Sequence, residues 1–169
     1  MIKSILVTLD GSEHSQTASH YALWLAERLQ ATAVGMHVVD VVSIEGSGAF
    51  LHDVSGSLGF EPYLDFSSKM REALRERGRM VLEQFLAACA ERGVRADIHL
   101  STGIIANEIC EPARTADLVV VGHRGVTARF STGLLGGTTE SVTRKCPKPV
   151  LVSPLKFRPI TRPLLAYDG

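Results

Sequence analysis

Apolar residues fill positions 2–9 almost without a break (IKSILVTL), the pattern of a strand buried on both faces of a parallel sheet. The run stops at Asp10-Gly11-Ser12, a turn that offers Ser12 or Ser15 as a helix cap. Ala18, Tyr21, Ala22, Leu25, Ala26 and Leu29 then recur at three- and four-residue spacing, which predicts a helix with one apolar face. Strand composition returns at 33–42 (AVGMHVVDVV). A β-α-β unit with a crossover of this length favours parallel strands.

Gly46, Gly48, Gly56, Gly59 and Pro62 interrupt any periodicity over 43–68. That stretch reads as a long loop with one short helical turn, either a lid or binding loop or a plain surface excursion. Over 69–92, dense charges surround an apolar stripe of Met70, Leu74, Val81, Phe85 and Cys89. This is a long amphipathic helix, weakened at Gly78 by about 1 kcal/mol relative to alanine and ended by Gly93. Arg71, Arg75, Arg77 and Arg79 alternate with Glu72, Glu76 and Glu83, so a solvated face explains them better than a basic patch. A third strand follows at 96–101, then a helix at 106–116 that Pro112 should kink or shorten. The fourth strand covers 118–121. A helix from near Gly137 to before Pro147 leads into the fifth, 149–153. The alternation specifies an α/β domain, an open five-stranded parallel sheet with helices on both faces.

Composition narrows the partners. Eighteen Lys and Arg balance eighteen Asp and Glu in 169 residues, which argues against a general nucleic-acid or membrane-surface binder. The apolar runs are far too short to span a membrane, and 45% hydrophobic content excludes a disordered chain. The N-terminus enters a strand with no signal-peptide architecture. Cys89, Cys110 and Cys146 form no CxxC, so neither a disulfide framework nor a zinc site is expected, and a reducing cytoplasm is the default. The zero net charge conceals a split, however. Gly122 onward holds eight basic side chains against only Glu140 and Asp168.

The basic half contains the candidate chemistry. Gly122-His123-Arg124-Gly125 follows the fourth strand, and Gly136-Gly137-Thr138-Thr139 opens the next helix. Gly122 and Gly125 let backbone approach an anion closely, while the first N–H groups of the helix are free to bind phosphate. Thr138 or Thr139 can add a hydroxyl; Arg124 and Arg129 can neutralise phosphate oxygens. Glycine also serves turns and caps, so position after a buried strand carries the weight. Other constellations are poor. Asp10, Ser12 and His14 are neighbours on a turn and form no relay, and no GxxxxGK[ST] loop occurs. The six histidines lack metal-ligand spacing; His37 and His99 fall in strands as structural residues, while His123 lies inside the glycine loop.

Together, residues 5–15 (ILVTLDGSEHS), His37-Val38-Val39-Asp40, Asp117 through Gly125, Gly136 through Glu140 and 147–152 (PKPVLV) resemble the universal stress protein family. The resemblance covers 1 to about 154. It implies a Rossmann-like sheet of the adenine nucleotide alpha hydrolase-like kind and, in the nucleotide-binding branch, a site for ATP with or without Mg²⁺. By matching position, Thr8, Asp10 and the backbone at Val38 would hold adenine and ribose. Gly122, His123, Arg124, Gly125, Gly136, Gly137, Thr138 and Thr139 would hold phosphates. The family pattern is Gly, two residues, Gly, nine residues, then Gly followed by Ser or Thr. Here ten residues separate Gly125 from Gly136, and Gly137 occupies the hydroxyl position. Either Thr138 takes over that role or the phosphate contact weakens.

The resemblance implies a stress-linked sensor or regulator rather than a dedicated catalyst, with slow ATP hydrolysis at most, since no general base is positioned for water. The rival is a non-nucleotide dimerisation or interaction module whose glycines serve only turns. Family members pair through their last strand, so 149–153 is the expected contact with a second such domain, in the same or another chain. Finally, Leu164-Leu165-Ala166-Tyr167-Asp168-Gly169 echoes Leu6 through Gly11 behind a Pro- and Arg-rich stretch. The expected organisation is a domain at 1–155, a linker at 156–163 and the first strand of a second copy at 164–169.

Overall fold

The computed structural model describes residues 1–40, 62–126 and 135–166, with side chains of 62–67 excepted. Five strands, β1 (Ser4–Thr8), β2 (Thr32–Asp40), β3 (Ala96–Gly103), β4 (Leu118–Gly122) and β5 (Val150–Ser153), form one sheet in the order β3-β2-β1-β4-β5. Every pairing is parallel. The described helices are α1 (Glu13–Leu29), α2 (Pro62–Glu91), α3 (Ile105–Ala113) and α4 (Gly137–Lys145).

Side-chain alternation along β1 explains the layers. Ile5 and Val7 enter a core with Ala18, Tyr21 and Ala22 of α1 and Leu82 and Phe85 of α2. Leu6 points the other way, into a core with Ile109 of α3, Val142 of α4 and Val119 and Val121 of β4. The buried middles of β1 and β4 are therefore apolar on both faces, and of the five strands edge strand β3 alone carries an exposed run at Asp97-Ile98-His99.

Ser12, not Ser15, caps α1: its Oγ accepts the Ser15 N–H at 3.2 Å, while the Ser15 hydroxyl accepts from Gly11 N–H. The apolar face of α1 is wider than its spacing suggests, because Leu23 is fully buried too, while Leu29 at its end is 38% exposed. Helix α2 starts earlier than composition predicts. Residues 62–68, expected in the long loop, belong to it; 43–61 lie outside the described residues. Gly78 also differs from expectation. It is buried, and a Cβ there would meet the His37 ring at 2.5 Å and Leu100 at 2.9 Å, so it is what lets α2 approach the sheet. Gly93 ends that segment at φ +65°. Pro112 sits in the last turn of α3, which stops at Ala113, three residues short of the sequence boundary. Arg79 pairs with Glu76 on the solvated face of α2. His37 Nδ1 lies 2.6 Å from the Leu9 carbonyl, as expected of a structural histidine, whereas His99 is exposed.

After β5 the chain turns back over α1. Thr17 Oγ donates to the Leu155 carbonyl, Tyr21 Oη donates to the Arg158 carbonyl and accepts its N–H, and Phe157 packs on His20, Tyr21 and Trp24. The first residues of the expected linker are thus strapped to the domain. Leu164 and Leu165 stand 94% and 87% exposed; Tyr167, Asp168 and Gly169 lie outside the described residues. Among the described residues no helix is long and apolar enough to cross a membrane.

Candidate functional site

From β1 the chain steps outward to β2 and β3, then returns to β4 on the opposite side of β1. The loops after β1 and β4 therefore diverge and leave a crevice beyond the carboxyl ends of the strands, where open α/β sheets bind ligands. Thr8, Asp10, Val38, Gly122, Arg124, Gly125, Thr138 and Thr139 line one cavity of about 90 Å³ here. Eight of the eleven residues expected from sequence thus meet in one place.

Asp10 joins the loop after β1 to the loop after β4. Asp10 Oδ1 accepts the Ser12 N–H, and Asp10 Oδ2 accepts the Val126 N–H at 2.9 Å, across 116 positions of chain. Thr139, only 5% exposed, donates its hydroxyl to the Gly122 carbonyl at 2.8 Å. Thr138, one step earlier on α4, is exposed and lines the cavity. His123, Gly136 and Gly137 are not part of the lining. Gly136 N–H donates to the His123 carbonyl, and its missing Cβ allows the Arg124 backbone to pass: a Cβ would meet Arg124 Cα at 3.2 Å. Among the described residues nothing lies within 4 Å of a Cβ built at Gly137.

Gly136 caps α4 without any side-chain hydrogen bond. The N–H groups of the first turn therefore face the crevice end with the positive pole of the helix behind them. Basic character comes from Arg124; Arg129 lies outside the described residues. The His14 and His123 rings lie 5.8 Å apart. Burial, then the charges of His123 and Arg124, hold the His14 imidazole below its ordinary range, against the opposing pull of Asp10 and Glu13. His14 Nδ1 is buried without a hydrogen-bond partner. The Asp10-Ser12-His14 trio makes no relay: the Ser12 hydroxyl is spent on its cap.

Sequence reasoning missed the apolar wall, which is Met36, Ile105, Ile109, Val121 and Val142. Ile105 and Ile109 show the i, i+4 spacing of any buried helix face, so their period held no sign of a pocket. Chemically, the cavity combines an apolar recess for a flat ring with a glycine-lined, positively polarised rim for an anion. It is well below the roughly 300–1,000 Å³ of small-molecule sites, so a nucleotide would seat its base inside and extend its phosphates along the rim.

A family model described as the universal stress protein family matches residues 1–154. Universal stress protein Slr1230 of Synechocystis is 29% identical over 176 residues, covering 99% of this chain and 61% of that protein. The chain therefore spans about three-fifths of the length of that relative. Among solved structures, universal stress protein UspA from Lactobacillus plantarum is 25% identical with a TM-score of 0.72, covering 90% of this chain and 97% of that one. An Arabidopsis thaliana universal stress protein family member with AMP bound shares the fold at 18% identity and a TM-score of 0.61, over 90% and 91% of the two chains.

Proposed function

Because the chain belongs to the universal stress protein family, we propose that it binds ATP or a related adenine nucleotide and acts as a stress-response sensor or regulator. The observation that carries this is the joint placement of an apolar recess, a glycine rim and an uncapped helix start at the sheet's switch point. Asp10 and the Val38 backbone would hold the base end. Gly122, Arg124, Gly125 and Thr138 would hold the phosphates, with Mg²⁺ as a companion ion of ATP. The residues fit the phosphate group, since Gly122 and Gly125 line the cavity without side chains and Arg124 and Thr138 line it beside them. The AMP bound to the Arabidopsis relative is consistent with this ligand class.

One experiment tests it. The purified protein is denatured and its supernatant examined for adenine nucleotide by mass spectrometry, and the stripped protein is titrated calorimetrically with ATP, ADP and AMP. Micromolar binding of at least one is expected. No released nucleotide and no titration heat overturns the proposal.

A second reading has its own support. Asp10 already holds Val126, and Thr139 already holds Gly122, so these two side chains serve the turns themselves. On that reading the domain is an interaction module that pairs through 149–153. Among the described strands β5 lies at the sheet edge, beside β4. Light scattering that finds dimers in protein without nucleotide affinity would select it. The organisation of the tail remains part of the proposal: 164–169 begins a second copy of the domain, as the exposure of Leu164 and Leu165 suits. A stop codon directly after Gly169 in the gene would refute that.

A further inference from the structure

His14 lies in the first turn of α1 and His123 directly follows β4, far apart in sequence, yet their rings sit 5.8 Å apart with planes tilted by 38°. One residue anchors both. Ser153, fully buried at the end of β5, accepts the His123 N–H on its carbonyl at 3.0 Å and donates its hydroxyl to the His14 carbonyl at 3.5 Å. Gly122 packs against the same turn, where a Cβ would meet His14 C and Cβ at 3.0 Å. The two imidazoles are thus presented by backbone that neighbouring strands hold. Both residues are half-buried and open to solvent on one side, but His14 Nδ1 is buried and has no hydrogen-bond partner. A buried polar atom without a partner is destabilising and calls for a cause.

We propose that His14, through Nδ1, and His123 together bind one transition-metal dication of the Zn²⁺ class beside the Gly122–Gly125 loop. The spacing fits. A zinc–nitrogen bond of about 2.1 Å keeps the centroids of two imidazoles that share an ion about 5–6 Å apart. The ligand chemistry selects the ion, since imidazole nitrogen suits Zn²⁺, Ni²⁺ and Cu²⁺ whereas Mg²⁺ demands oxygen. Among the described residues no three His, Cys, Asp or Glu side chains gather, so the protein supplies two ligands and leaves the other positions to water or a phosphate oxygen.

Metal ligation requires a neutral imidazole. Burial, then the charges of His123 and Arg124, hold the His14 ring below its ordinary range, so it is already neutral near pH 7. Asp10 and Glu13 act on the same ring in the opposite sense and offset part of the repulsion that Arg124 exerts on a cation. The ion ties the first turn of α1 to the loop after β4, the junction that Asp10 also closes through the Val126 N–H. A nucleotide phosphate lying along the rim can fill an open position and make nucleotide affinity metal-dependent. That coupling rests on the nucleotide reading; the metal site itself does not.

Zn²⁺ alone is the probe, so the test stands whether or not a nucleotide binds. Reduced protein is stripped with a chelator, freed of nucleotide and titrated calorimetrically with zinc chloride. One ion per chain is expected, with a rise in melting temperature of about 5–10 °C at a free concentration about 100 times the dissociation constant. H14Q and H123Q should each weaken binding at least ten-fold, while H99Q, which alters an exposed histidine on β3, should retain it. Circular dichroism verifies that each variant is folded. Co²⁺ serves as a coloured second probe and should give visible d–d bands without the sulfur-to-cobalt charge-transfer band of a cysteine ligand. Absence of Zn²⁺ binding, unchanged affinity in H14Q or in H123Q, an equal thermal shift with Mg²⁺, or a charge-transfer band would each overturn the proposal.

Discussion

Replacing Gly125 by alanine probes the closure of the site most directly. A Cβ built at Gly125 falls 2.7 Å from Asp10 Oδ2, where ordinary contact begins near 3.4 Å. Loop or carboxylate must therefore yield by roughly 0.7 Å. That same oxygen accepts the Val126 N–H, while Oδ1 accepts the Ser12 N–H, so the carboxylate cannot swing without losing a bond. A hydrogen bond to a charged group contributes about 1.5–3 kcal/mol when buried. Val126 is 56% exposed, and water recovers part of it, which leaves about 0.5–1.5 kcal/mol. For a domain of this size that lowers the melting temperature by about 2–5 °C. Gly125 is not at positive φ, so backbone strain adds nothing. ATP affinity should fall at least ten-fold, because the displaced loop is the proposed phosphate rim. Calorimetry and denaturant melts on wild type, Gly125→Ala, Asp10→Ala and the double variant make the check. If the clash is with Asp10, the alanine costs little stability once Asp10 is gone. Equal cost in both backgrounds, or a Gly125→Ala protein with unchanged melting and binding, refutes the reasoning.

Gly137 offers the converse. Among the described residues nothing lies within 4 Å of a Cβ there, so Gly137→Ser should be neutral or stabilising by about 0.5 kcal/mol and should raise ATP affinity several-fold by restoring a hydroxyl at the helix start. A loss of affinity in calorimetry would mean that the phosphates lie elsewhere. The depressed His14 pKa sets a pH dependence: as pH falls below about 6.5 the unfolded chain takes the proton first, so stability declines, then levels off below the folded value. A bound polyphosphate lifts that pKa, so ATP affinity should rise as pH falls from about 7.5 to about 6, and His14→Gln should flatten both profiles; a flat wild-type profile removes His14 from the site. Tyr21→Phe deletes both hydrogen bonds to Arg158 and should cost about 1–2 kcal/mol, with faster tryptic cleavage after Lys156; unchanged cleavage would show that the strap is held otherwise.

How much of this is legible in the sequence depends on whether a feature is local or long-range. Strands and helices write their period into neighbouring residues, so β1, β4 and the faces of α1 and α2 can be read within a residue or two, and eight of eleven site residues fall on one cavity. The contacts that define the site's state cannot be read that way. Asp10 and Val126 are 116 positions apart, and Thr139 reaches the Gly122 carbonyl across 17. Gly78 misleads for the same reason, since its cost as a helix residue is local and its benefit depends on the His37 and Leu100 side chains of other strands. A further consequence concerns affinity. The carboxylate and the hydroxyl that sequence assigns to a ligand, on Asp10 and Thr139, are already satisfied by Val126 N–H and the Gly122 carbonyl. A nucleotide that uses either must first break an internal bond, and only the difference between the two interactions contributes to binding. Thr138, exposed at the α4 start where Gly136 offers no side-chain cap, involves no such exchange of those two bonds. Phosphate contacts should accordingly supply most of the net affinity, and adenosine, which lacks phosphates, should bind much more weakly than ATP.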